Sequence, residues 1–169
     1  MMNNSASFEF LYRQYYEPIY KFCFRFLNNR ESALDVTQET FIKMYVRMSQ
    51  RGLEIENTKS WLYKVAGNLC LNLLNNNKRH LEIENQLESK SIENTTPENI
   101  LLHDEKTELL KKAISHMKPE NRMLVMMYQD GLSYKEMSDA TGIKLSSVGN
   151  TLWRAINKIS ENIKLQTNE

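Results

Sequence analysis

Residues 130–158, Asp130-Gly-Leu-Ser-Tyr-Lys-Glu-Met-Ser-Asp-Ala-Thr-Gly-Ile-Lys-Leu-Ser-Ser-Val-Gly-Asn-Thr-Leu-Trp-Arg-Ala-Ile-Asn-Lys158, carry the pattern that decides the fold. Asp130-Gly131-Leu132 reads as a tight turn. Ser133-Tyr134-Lys135-Glu136 then has the Ser-x-x-Glu form of a capping box, in which Ser and Glu reciprocally satisfy free backbone donors at a helix start. Gly142 supplies a left-handed stop, so the helix it ends is short. A second helix runs from about Leu145 to Ile163. Two helices joined by a glycine turn over about 25 residues fit a helix-turn-helix. Met137, Ala140, Ile143, Val148 and Leu152 are the positions that would lock the pair, and Ile156, Ile159 and Ile163 continue the buried stripe.

The opposite face of the second helix shows Ser147, Asn150, Thr151, Arg154 and Lys158. That set suits a DNA major groove, where Arg reads guanine, Asn reads adenine, and Ser, Thr and Lys hold phosphates or bases. Any amphipathic helix has a polar face, so the face alone is weak evidence; the capping box and the Gly142 spacing strengthen it. Trp153 has two readings, core or a contact to the sugar-phosphate backbone. The base rate for Trp favours the core, while its place beside Arg154 puts it in the DNA-facing set.

Working outward, the rest of the chain is also helical by pattern. Helices are expected over about 105–117 and 119–129, the first stopped before Pro119. Near the N-terminus Phe8, Leu11, Tyr12, Tyr15, Ile19, Phe22, Cys23 and Phe26 recur at three and four residues, one apolar stripe that Pro18 should kink or break. Asn28-Asn29 ends that helix and can cap the next, whose inner face carries Ala33, Val36, Thr40, Met44 and Met48. A third helix follows from about Thr58, with Trp61, Leu62, Val65, Leu69 and Leu73 inward. Five Gly and three Pro in 169 residues are too few for the turns of an all-β chain. The fold class is all-α.

The 22 basic and 21 acidic residues nearly cancel, but they are unevenly placed. Residues 1–80 carry +4, residues 81–105 carry −6 and residues 106–169 carry +3. Two mildly basic lobes are joined by an acidic connector that includes Glu93-Asn-Thr-Thr-Pro-Glu-Asn99. The expected organisation is a domain over 1–80, a flexible acidic linker over 81–103 and a second domain over 104–169.

Several classes are set aside. Cys23 and Cys70 match no metal spacing and no disulfide framework. His80, His103 and His116 have no HExxH spacing, no cysteine partner and no Gly-rich phosphate loop, so catalysis, a metal and a cofactor are not expected. The longest near-apolar run, Met123 to Tyr128, is far short of the ~20 residues of a membrane helix. With no signal-peptide pattern at the N-terminus, a soluble protein of the cytoplasm is expected.

At this point the chain resembles a family. Gly131-Leu-Ser-Tyr-Lys-Glu-Met137 and Val148 through Ala155 look like region 4 of the bacterial sigma factors, which reads the −35 promoter element. Ser32-Ala-Leu-Asp-Val-Thr-Gln-Glu-Thr-Phe41 is similar to the region 2 segment that grips the polymerase. Thr58-Lys-Ser-Trp-Leu-Tyr-Lys-Val-Ala-Gly-Asn-Leu69 resembles the promoter-melting segment. Their order and the two-lobed layout point to the extracytoplasmic-function (ECF) group, over residues 8–79 and 104–163.

The resemblance implies a role for each lobe. Asp35, Gln38 and Glu39, otherwise a solvated acidic face, become the surface that docks core RNA polymerase. Trp61, Lys64, Asn68, Asn72 and Arg79 become contacts to the melted −10 strand, charge on phosphates and amides on base edges. A base flipped from that element would enter a pocket formed by the loop Gln50 to Asn57, with Asn68 at its edge. Ser147, Asn150, Thr151, Trp153, Arg154 and Lys158 become contacts to the −35 duplex. The acidic linker would run through the basic RNA-exit path of the polymerase or serve as a plain spacer. An anti-sigma partner is also implied.

Some positions depart from the family pattern. Gly67 and Asn75-Asn76-Asn77 stand where basic residues are usual, as do Gly149 and Thr151 on the recognition helix, and Lys144 replaces a common capping residue. Each lost phosphate contact weakens DNA binding. Gly149 costs ~1 kcal/mol in a helix interior, so the recognition helix is expected to fray or to begin near Ser146. The reading is a sigma factor that needs the polymerase to hold it on promoter DNA. The alternatives are a helix-turn-helix regulator acting without polymerase and a helical protein-interaction module.

Overall fold

A computed structural model describes residues 4–50, 56–87, 110 and 112–167. Every regular element among the described residues is a helix: α1 (Asn4–Leu27), α2 (Arg30–Ser49), α3 (Thr58–Leu87), α4 (Pro119–Gln129), α5 (Tyr134–Thr141) and α6 (Leu145–Thr167). A short helical stretch at 112–115 precedes α4.

The first three helices form one lobe around Ile19, Phe22, Cys23, Phe26, Ala33, Val36, Phe41, Met44, Leu62, Tyr63, Ala66 and Cys70, all buried. The starts of α2 and α3 are set by asparagine. Asn28 takes a left-handed φ of 51° and ends α1, and the Asn29 side chain accepts the Ser32 N–H at 2.8 Å to open α2. Asn57 does the same for α3, accepting the Ser60 N–H at 3.0 Å. Thr37 and Thr40 are buried on α2, where their hydroxyls donate to the carbonyls of Ala33 and Val36 at 2.6 and 2.7 Å. Two polar groups thus enter the core without being left unpartnered.

The fold departs from the sequence pattern in three places. Pro18 neither breaks nor ends α1, which continues through it to Leu27; the buried residues that follow, from Ile19 to Phe26, outweigh the missing hydrogen bond. Tyr12 is exposed rather than inward, its ring set against the Phe41 and Tyr16 rings. Helix α3 runs to Leu87, so residues 81–87, placed in the linker by the sequence, are helical. The remaining expected linker residues and the helix predicted from 105 to 109 lie outside the described residues.

In the second lobe α4 begins with Pro119 at its first turn, where a missing N–H costs nothing. Met123, Leu124, Val125, Met126 and Met127 are all buried. Five consecutive buried residues need cover on every side of a helix, and α4 packs against α1, α3, α5 and α6. The two lobes therefore meet. Helical periodicity is a local pattern and carries no sign of this relation.

Candidate nucleic-acid interface

The helix-turn-helix forms as its residues dictate. Ser133 Oγ accepts the Glu136 N–H at 3.2 Å, and Glu136 Oε2 accepts the Ser133 N–H at 2.7 Å, closing the capping box. Burial alone would raise the Glu136 carboxyl. The Ser133 backbone and hydroxyl, with Lys59 and Asn57 of the other lobe, hold it below the usual carboxylate range. Gly142 stops α5 with φ 76°. The turn is then tied by Ser138 Oγ donating to the Ile143 carbonyl at 2.7 Å and by Thr141 Oγ1 accepting the Ile143 N–H at 3.3 Å. Met137, Ala140, Val148 and Leu152 are buried between the two helices.

On α6, Ser147, Asn150, Arg154 and Lys158 are exposed along one side. Thr151 is half-buried, and its hydroxyl donates to the Ser147 carbonyl at 2.9 Å, so it offers its methyl more readily than its oxygen. Trp153 is 65% exposed, against the base rate that favoured core. Ile156 is 40% exposed and leaves the buried stripe, which passes instead through Ala155 and Ile159. The recognition helix starts at Leu145 without fraying at Gly149, where the Tyr134 ring packs close. Leu145 and Ile156, exposed on the same helix as Trp153, add apolar surface that the sequence pattern did not single out.

On the first lobe, Lys64, Asn68, Asn72, Asn75 and Arg79 are exposed along α3, while Leu62, Ala66 and Cys70 are buried on its inner side. Trp61 is half-buried, with the Arg47 guanidinium 5.9 Å from its ring centroid. Lys64, Asn68, Asn72, Asn75 and Arg79 are exposed at spacings of three and four, whereas Trp61, expected inward, is only partly so. Residues 51–55 of the expected flipped-base pocket lie outside the described residues. Asp35, Gln38 and Glu39 are exposed on α2, and Glu39 pairs with Lys43 at 3.3 Å on the surface. Ile42 and Val46, exposed on the same helix, extend that acidic face with apolar surface and were not singled out by the sequence. No metal-binding cluster of His, Cys, Asp or Glu occurs among the described residues.

The geometry matches known proteins. The family model described as Sigma-70 region 2 matches residues 11–80, and that described as Sigma-70, region 4 matches residues 107–159. The chain is 30% identical to the ECF RNA polymerase sigma-E factor of Salmonella typhimurium, over 77% of this chain and 73% of that protein. It belongs to the ECF RNA polymerase sigma factors. A further relative of the sigma factor is RNA polymerase sigma factor YlaC of Bacillus subtilis, 29% identical over 96% of this chain and 95% of that one. The fold of the sigma factor is similar to that of RpoE, solved in complex with the anti-sigma factor NepR from Bartonella quintana. The TM-score is 0.70 at 19% identity, covering 94% of this chain and 97% of that one. A sigma factor binds core RNA polymerase and directs it to promoters to start transcription; the family is one of initiation factors rather than enzymes. Among the described residues no helix is long and apolar enough to cross a membrane.

Proposed function

We propose that the two lobes divide the promoter between them. The first docks the polymerase through Asp35, Gln38 and Glu39 and holds the melted −10 strand along Trp61, Lys64, Asn68, Asn72 and Arg79. The second sets α6 in the major groove of the −35 element through Ser147, Asn150, Trp153, Arg154 and Lys158, with Thr151 at the edge of the contact. One observation carries this reading: each lobe exposes a polar stripe on a helix whose other side is buried. Amides and cations in a row suit a single strand on α3, whereas an Arg and an Asn on a recognition helix suit base edges of a duplex on α6. The chemistry of both lobes is binding, without catalysis, and its place is the cytoplasm with the polymerase. By likeness to the solved complex, an anti-sigma factor is the expected restraining partner.

The test is reconstitution with core polymerase. The chain should co-elute with core and make it start at promoters bearing both elements. An Asp35→Ala/Glu39→Ala variant should fold normally, since both side chains are exposed, and lose co-elution. Tight sequence-specific DNA binding without polymerase would favour a stand-alone regulator. Binding to neither would favour a protein-interaction module.

A further inference from the structure

A cleft of about 560 Å³ opens between the end of α1, the stretch at 112–115 and α4. Sites that bury a small molecule run to roughly 300–1,000 Å³, so its size is that of a ligand pocket. None of its described lining residues belongs to the acidic face of α2 or to the polar stripes of α3 and α6. The reading of the promoter leaves it unused.

Its walls are apolar, with Phe24, Phe26, Ile114 and Met126 along them. The Phe24 ring is half-buried and braced by the Tyr20 ring, nearly parallel to it with centroids 6.2 Å apart. Three cations reach the same space, Arg25, Lys112 and Arg122, and among the described residues no acidic side chain lines it.

The three cations differ in what they already hold. Arg25 is committed: its guanidinium donates to Asp130 Oδ1, while the Tyr63 hydroxyl donates to Oδ2 of the same carboxylate at 3.0 Å. Arg122 has no such partner. Among the described residues no Asp or Glu pairs with it, and its Nε is closed off from solvent without a hydrogen bond. Its guanidinium lies 4.4 Å from the centroid of the Phe26 ring, which holds one face of the planar group in place. Burial pulls its pKa below the ordinary arginine value, the mark of a charge short of water. A buried donor left unpaired is costly, and the arginine fork matches the edge of a phosphate. Lys112 is exposed at the rim and adds a second positive charge.

We propose that this cleft binds a small phosphate ester built on a flat ring, of the nucleoside monophosphate class. The phosphate takes Arg122 and Lys112, two positive charges against the nearly two negative charges of a monoester at neutral pH. The ring lies against Phe24, Ile114 and Met126, where burial and stacking hold it. Asn28 and Gln129 bring side-chain amides to the same cleft and supply hydrogen bonds for the edge of a base. Gln129 Oε1 already accepts from Arg25 at 3.5 Å, so its amide nitrogen is the group left to donate. An inorganic anion would use the charges and leave the apolar wall wet. A neutral ring would leave Arg122 unpaired. The site therefore asks for both halves of the ligand, and it does so independently of how the lobes divide the promoter.

The test is isothermal titration of the full chain with AMP and with GMP. Saturable binding of one nucleotide per chain is expected. Adenosine and inorganic phosphate, the two halves of the AMP probe, should each bind about tenfold more weakly or worse. Arg122→Gln should weaken AMP by about tenfold or more. Ser115→Glu should abolish binding, because Ser115 donates to the Lys112 carbonyl at 2.8 Å and lines the cleft, so a carboxylate there opposes the phosphate. Ser115 is exposed, and its variant serves if the loss of Arg122 from the Phe26 ring disturbs folding. Lys135→Ala removes an exposed cation of α5 outside the cleft and should bind AMP as the wild type does. Inorganic phosphate bound as tightly as AMP would make the cleft an adventitious ion site only and overturn the proposal. Adenosine bound as tightly as AMP would overturn it from the other side. Absence of saturable binding at millimolar AMP and GMP, or an affinity unchanged in both Arg122→Gln and Ser115→Glu, sinks it too. Co-elution with core polymerase is a separate measurement: its failure would strike the functional reading and leave the nucleotide site standing.

Discussion

Tyr134 packs over Gly149: a Cβ added at Gly149 would meet Tyr134 Cε2 at 3.3 Å. Tyr134 opens α5 and Gly149 lies near the start of α6, so the contact ties together the two helices of the DNA-reading motif. It also explains why α6 begins at Leu145 with a glycine in its second turn. The ring is 47% exposed and has solvent to move into. Gly149→Ala should therefore gain most of the helix preference of alanine, about 0.5–1 kcal/mol, at the expense of a slight tilt of the ring. The thermal midpoint should rise by about 1–3 °C, measured by circular dichroism. A lower midpoint would mean that the ring is fixed in place.

What the sequence discloses and what it hides follow from the range of each interaction. Caps at Asn29, Ser133 and Gly142 are legible because a cap is decided within three or four residues. The exposed stripes of α3 and α6 are legible because helical spacing alone puts Lys64, Asn68 and Asn72, or Asn150, Arg154 and Lys158, on one side. Trp153 is not, because its exposure depends on which side of α6 faces Met137 and Ala140 of α5. The close approach of Met123 to Gly67 is not, because Met123 belongs to the other lobe. The interlobe cluster at Asp130 joins residues 67 and 105 positions apart, beyond any local pattern.

Pro18 gives a second prediction. A proline inside a helix removes one hydrogen bond and strains the preceding turn, at about 3 kcal/mol in an unconstrained helix. Helix α1 tolerates it because Ile19, Phe22, Cys23 and Phe26 are all buried beyond it. The proline ring is itself exposed, so little packing is lost on removing it. Pro18→Ala should return an N–H to the Gln14 carbonyl and stabilise the chain by about 1–3 kcal/mol. Urea unfolding checks this; no gain would show that the helix has already absorbed the strain.

The capping box predicts a pH dependence. The Glu136 carboxyl is held below its ordinary value of 4.5 by Ser133, Lys59 and Asn57, against the opposing effect of burial. A carboxyl that binds its proton less tightly when folded stabilises the fold fully above the unfolded value and loses that contribution as pH falls through the lowered folded value. Wild-type stability should therefore decline in acid below about pH 4.5, and Glu136→Gln should decline less steeply. Ser133→Ala removes the reciprocal partner and should cost about 1 kcal/mol at neutral pH. Parallel acid slopes for wild type and Glu136→Gln would remove Glu136 from the account.

The recognition helix predicts two different defects from two neighbouring cations. Arg154 and Lys158 are both exposed on the face of α6 that the proposed reading places in the groove. Arg can fork onto a guanine edge, whereas Lys acts as a point charge toward a phosphate. Arg154→Ala in the polymerase complex should weaken the preferred −35 sequence by about 1–3 kcal/mol and flatten the preference at one base pair. Lys158→Ala should weaken all −35 sequences alike and lower the salt slope of binding by about one ion. Neither should alter co-elution with core polymerase, because the docking residues Asp35, Gln38 and Glu39 lie on the other lobe. Binding assays across single-base promoter variants at two salt concentrations separate the two behaviours. Equal, sequence-blind losses for both variants would assign Arg154 to the phosphate backbone, and the reading of bases would then pass to Asn150 and Ser147.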